Sequence, residues 1–137
     1  MTESRSDREF VSSIGLVITD IDLVPSNVTV ALGLVPDDSW RRGDAKRVGN
    51  KLHDWGGWKK WLPSKYEGDP FAEELKAWVA LLGGRAAELR KLQDAGYKCE
   101  LDCFVSVSGS ALVEMAPALQ RDLAELGVHI NITIDAG

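Results

Sequence analysis

Few residues in this chain can move protons or bind metals near neutral pH. Its 137 residues include two histidines, His53 and His129, and two cysteines, Cys99 and Cys103. Imidazole serves most acid–base and many metal roles, and thiolate serves nucleophilic ones, so these four bound the available chemistry. His129 lies in the run from Val128 to Asp135, where an isoleucine or valine takes every second position. That period places His129 on the polar face of a strand. Glu100 and Asp102 occupy the polar face of a second alternating segment, from Lys98 to Ser108. One imidazole and two carboxylates can ligate a divalent metal if the two strands pair. The ordinary reading of the trio is a solvated sheet face, because no H-E-x-x-H or clustered ligand spacing accompanies it.

The other candidates weigh against catalysis. His53 stands next to Asp54, and neighbours along a strand point to opposite faces, so Asp54 is badly placed to orient the imidazole. The pair reads as surface polarity. Cys103 shares its strand face with Leu101 and Val105, apolar groups that raise a thiol pKa, and it reads as a small buried hydrophobe. Cys99 and Cys103 lie ~13 Å apart if extended, beyond the ~7 Å limit for a disulfide. There is no G-x-x-x-x-G-K and no G-x-G-x-x-G after a strand, and Ser108-Gly109-Ser110 reads as a turn. The sequence thus offers no catalytic set, no cofactor motif and no metal motif, and leans against an enzyme.

One segment stands above this background. Trp40, Trp55, Trp58 and Trp61 are interleaved with Arg41, Arg42, Lys46, Arg47, Lys51, Lys59 and Lys60. Indole faces stack on bases and cations pair with phosphates, so the composition suits a polyanion; it suits an acidic protein partner equally, since Trp and Arg dominate binding hot spots. The plainer alternative puts Trp58 and Trp61 on opposite strand faces, one of them in the core, with the lysines solvated. The candidate binding set is therefore Trp40, Arg41, Arg42, Trp55, Trp58, Lys60 and Trp61.

Charge and composition limit the partners. The net charge is −5, but residues 41 to 65 hold eight basic side chains against Asp44 and Asp54. The rest of the chain is strongly acidic, which disfavours nucleic acid as a partner for the whole surface. No apolar run reaches the ~18 residues of a membrane span, and residues 1–9 lack the apolar stretch of a secretory signal. With two unpaired cysteines, a reducing cytoplasm is expected.

The elements that must position these residues follow from periodicity and punctuation. Strands are expected from Val11 to Ile21, from Lys98 to Ser108 and from Val128 to Asp135. Ser26 is expected to cap a helix ending at Gly33. Asp69-Pro70 opens a second helix, with Phe71, Leu75, Trp78, Val79 and Leu82 on one stripe and Gly83-Gly84 at its end. Arg85 to Ala95 forms a third helix, and a fourth carries Pro117 in its first turn and stops at Gly127. The glycine-rich middle, Pro36 to Pro63, reads as two short strands, with Gly56-Gly57 as a turn or bulge. This gives an α+β domain over residues 10–137 after a loose tail at 1–9. The expected architecture is a single-layer antiparallel sheet with helices on one face, with a ferredoxin-like arrangement as first candidate.

The same residues resemble a known family. The N-terminal strand followed by Val24-Pro25-Ser26-Asn27-Val28-Thr29-Val30-Ala31-Leu32-Gly33-Leu34-Val35-Pro36 is similar to the opening of DUF4279, a bacterial family of unknown function. Gly43-Asp44, Gly57-Trp58, Leu62-Pro63-Ser64, the helix around Glu74 to Leu82 and the closing helix, Leu-Gly and strand continue the resemblance from Phe10 to Asp135. It implies a small cytoplasmic bacterial domain and no activity, and it carries over no site residues.

The expected function is a non-enzymatic interaction module with a protein partner. One concrete form is a toxin-neutralising, immunity-like protein, small and acidic enough to block a basic site electrostatically. The alternative is a small-ligand-binding protein or enzyme using the polar sheet face or the tryptophan-rich segment. Exposed edge strands leave a homodimer open.

Overall fold

The computed structural model describes residues 10–62, 70–107 and 117–135. The expectations for the 1–9 tail, the Asp69 cap and the Ser108-Gly109-Ser110 turn lie outside those residues. In chain order the elements are β1 (Phe10–Asp20), α1 (Pro25–Leu32), β2 (Asp38–Trp40), β3 (Gly56–Trp61), α2 (Pro70–Gly83), α3 (Ala86–Asp94), β4 (Lys98–Val107), α4 (Pro117–Glu125) and β5 (His129–Asp135).

The five strands form one sheet in the order β2-β3-β1-β4-β5. Its centre is β1, antiparallel to β3 on one side and to β4 on the other. Alternation along β1 decides which face is greasy. Ile14, Leu16 and Ile18 are buried and point to the helix side, where Ile18 lies between Trp58 of β3 and Cys99 of β4. Leu101, Cys103 and Val105 extend this face along β4. Onto it pack Val28 and Leu32 of α1, the Phe71, Leu75, Trp78 and Leu82 stripe of α2, Leu89 and Leu92 of α3, and Leu123 of α4, as one core. The Trp78 indole N–H donates to the Ile14 carbonyl at 3.1 Å, so this large side chain is buried without an orphaned donor.

Helix ends follow their local chemistry. Gly33, Gly96 and Gly127 have positive φ, the left-handed conformation that glycine adopts at least cost, and they follow α1, α3 and α4. Arg85 joins two helix ends, donating to the Leu32 carbonyl at 2.7 Å and the Leu81 carbonyl at 3.0 Å. One cap differs from expectation. α1 begins with Pro25 in its first turn, its N-cap residue is Val24, and no side-chain cap bond forms, so Ser26 is inside the helix rather than capping it.

Two further points correct the expected architecture. The sheet is mixed, because β4 and β5 run parallel. α4 lies between them in sequence and returns the chain to the end from which β4 started. Period-two alternation reports a covered face and not a strand direction. Nor is the sheet a bare layer on its second face. Residues 41–55, between β2 and β3, form a small hairpin with a bridge between Ala45 and Leu52 and a Lys46 N–H to Lys51 carbonyl bond of 3.0 Å. This hairpin and the rings of Trp40 and Trp61 cover part of the floor, leaving Gly15 and Val17 buried.

Candidate functional site

The face away from the helices carries most of the polar positions of β1, β4 and β5 and half of those of β3. Registers bring Trp61 opposite Gly15, Lys59 opposite Val17 and Gly57 opposite Thr19. On the other side of β1, Glu100 meets Val17, Asp102 meets Gly15 and Phe104 meets Ser13. β5 then sets His129 beside Glu100 and Asn131 beside Asp102.

Two glycines make this face possible. A Cβ on Gly57 would come within 2.2 Å of the Trp40 ring, and one on Gly15 within 2.6 Å of the Trp61 ring. Each indole therefore lies flat on backbone that only glycine leaves clear. Gly56-Gly57 is thus neither a turn nor a bulge: both residues are strand, and Gly56 packs against the backbone of Leu23. His53, from the far stem of the hairpin, stacks on Trp40 with ring centroids 4.6 Å apart and planes 19° apart. The expectation that His53 is mere surface polarity beside Asp54 is corrected by this contact. Lys59 Nζ sits 5.3 Å from the Trp40 ring centroid, a cation–π distance.

Between the hairpin and the sheet runs a half-open groove of about 750 Å³. Val17, Thr19 and Lys59 form its floor, Trp40 and Trp55 line it, and Lys46, Arg47 and Val48 come from the hairpin. Arg47 pairs with Asp38 at 3.2 Å. The Asp44 carboxylate accepts the Arg41 backbone N–H at 2.8 Å, which closes the base of the hairpin. A second, smaller depression lies between Trp61 and Phe104, over Ser13 and beside Asn131 and Thr133.

The structure divides the candidate binding set. Trp40, Trp55 and Trp61 are on the open face, with Trp55 51% and Trp61 40% exposed. Trp58 is not: it is fully buried on the helix side, its indole N–H donating to the Thr29 hydroxyl at 3.1 Å. Lys60 also turns to the helix side, where its ammonium donates to the Val35 carbonyl at 2.9 Å. Arg42 pairs with Asp22 at 3.0 Å, and Arg41 is exposed on the hairpin. Parity separates these residues: Trp58 and Lys60 fall on even positions of β3, and Lys59 and Trp61 on odd ones.

The metal trio is brought onto one face as its spacing suggests, but its two carboxylates have other partners. Glu100 pairs with Lys98 at 3.0 Å, and Asp102 accepts from the Asn131 amide at 3.3 Å. Among the described residues, no three His, Cys, Asp or Glu side chains lie close enough together to hold a metal ion. The two cysteines are free and buried. Burial pushes the Cys99 thiol up to about 11, and burial aided by the nearby Asp102 and Glu74 charges pushes Cys103 up to about 12. Thiols held this far from ionisation are poor nucleophiles.

Sequence reasoning missed Asp38, Asp44 and the Trp40–His53 stack. The usable signal was Gly57, a glycine inside a strand flanked by tryptophans, which marks a close approach.

These features define an α+β domain with one helix-covered sheet face and one aromatic, partly roofed face. The chain belongs to the DUF4279 family, described as a domain of unknown function, whose profile matches residues 10–137. No curated protein and no solved structure matches it significantly. Among the described residues, no helix is long and apolar enough to cross a membrane.

Proposed function

We propose that this protein is a non-enzymatic binding module that holds a protein partner on the open face of its sheet. The observation that carries this reading is the set of aromatic side chains left uncovered there. Trp55, Trp61 and Phe104 (43% exposed) play no part in the core, yet they gather on the one face that the helices leave free. Exposed aromatic clusters of this kind anchor interfaces, and a rim of charges sets register. The hairpin supplies such a rim with Arg41, Lys46, Arg47 and Lys51. Toxin neutralisation is a separate form of the binding role, in which the acidic remainder of the chain, and not the basic-rimmed open face, meets a basic toxin. The strand order β4-β1-β3-β2, with a helix after β1 and two after β3, supports a ferredoxin-like core extended by α4 and β5. Unpaired buried thiols support a reducing cytoplasm as its setting, and the family resemblance a bacterial one.

The groove favours a second reading, a small ligand bound beside Trp40 and Trp55, because its volume falls in the ~300–1,000 Å³ range of small-molecule sites. One experiment separates the two. Tagged wild-type protein and a Trp55→Ala/Trp61→Ala variant of matched melting temperature are used for capture from the native host. The interaction reading expects a stoichiometric partner with the wild type and its loss with the variant. Equal recovery by both proteins contradicts it. Failure to recover any partner at low salt, together with a metabolite that raises the wild-type melting temperature, transfers the assignment to the small-ligand reading.

A further inference from the structure

We infer that β5 is a docking edge for a second copy of this chain, joined antiparallel about a two-fold axis at Ile132. The inference is independent of the open-face reading. β5 is the outermost strand of the sheet, and among the described residues only β4 pairs with it. A strand of seven residues with one free edge presents a row of unpaired backbone donors and acceptors. Natural edges are blunted by lysine, proline, a bulge or shortness. β5 contains no lysine and no proline, and its register with β4 runs unbroken from His129 to Asp135. The opposite edge differs: β2 has three residues and leads directly into the hairpin.

The occupant follows from the composition of β5. Ile132 is its central residue and lies on the helix side of the sheet, yet it is 42% exposed, while Ile130 one pair earlier packs against the core. An antiparallel two-fold that pairs the whole strand sets 132 against 132, 131 against 133, 130 against 134 and 129 against 135. Each exposed Ile132 then covers its own equivalent, and Asn131 meets Thr133 on the open side. Residues 130 to 133 carry no charge, so two identical strands meet without like charges opposed at the centre. A two-fold perpendicular to the sheet keeps both helix layers on one side and both open faces on the other. The result is a ten-stranded sheet with two grooves facing the same way.

Two measurements on the full chain test this. Sedimentation equilibrium across micromolar concentrations should show a rise from 15.0 kDa to twice that mass. Ile132→Lys, and independently Thr133→Lys, should hold the mass at the monomer value with an unchanged circular dichroism spectrum. Ile132→Cys should form an intermolecular disulfide under mild oxidation, since facing Cα atoms in an antiparallel pair are ~4.5–5.5 Å apart, within disulfide reach. The wild type should not cross-link, its own thiols being buried. A monomer at every concentration overturns the inference. So does a dimer that survives both lysine variants, or one in which Ile132→Cys cross-links no better than Leu52→Cys on the hairpin.

Discussion

Trp55 and Trp58 share a side chain and stand three residues apart, but they occupy opposite environments. Trp58 is sealed between Ile18 and the helices, with its indole N–H satisfied by Thr29, so removing it opens a cavity and breaks that bond. Trp58→Ala should cost about 3–5 kcal/mol in urea unfolding. Trp55→Ala should change stability by no more than ~0.5 kcal/mol, as at other exposed sites. Equal costs would show the parity assignment to be wrong. The two thiols give a second residue-level test. Both have folded pKa values raised above the ordinary 9.0, to about 11 and about 12. Below pH 9 they are neutral in both folded and unfolded chains, and their stabilising contribution is complete. As the pH rises past 9 the unfolded chain ionises first, so stability should fall by ~1.4 kcal/mol per pH unit for each thiol until the folded values are reached. The melting temperature from pH 8 to 11 reads this directly. Replacing both cysteines by alanine should flatten the alkaline limb.

At the scale of elements, the floor of the open face depends on glycine. Gly57→Ala forces the Trp40 ring off the strand and with it the His53 stack and the hairpin stem. A cost of about 1–3 kcal/mol is expected from this overpacking, with a shift in tryptophan emission that Gly83→Ala, which meets nothing, should not produce. Much at this scale was legible in the sequence. Alternation located β1, β4 and β5, and the Phe71–Leu82 stripe located α2, because burial on one face leaves its period in the chain. Strand direction was not legible, since a helix crossover and a hairpin leave the same alternation behind. The hairpin at 41–55 was hidden for a related reason: with nearly every residue exposed, it has no apolar period to read. The Gly56-Gly57 pair reads as a turn or a bulge in the sequence, because these and a close ring-on-backbone contact select the same residue.

For the whole molecule, one sheet divides two tasks. Its even β1 positions hold the core that keeps the domain folded, and the opposite face carries Lys59 and Trp61 of β3 and Glu100, Asp102 and Phe104 of β4 beside the odd β1 positions. The sequence placed Trp40, Trp55 and Trp61 among the candidates and set Trp58 and Trp61 on opposite strand faces, but left open which of the two faces the core, because spacing alone does not say which side of β3 the helices cover. Radical footprinting of the tryptophans tests this division most directly, first on the free protein and then with its captured partner. Rapid modification of Trp55 and Trp61 and none of Trp58 and Trp78 is expected in the free state, followed by protection of Trp55 and Trp61 on binding. Modification of Trp58 in the folded protein, or a bound partner that leaves Trp55 and Trp61 as reactive as before, would contradict that division.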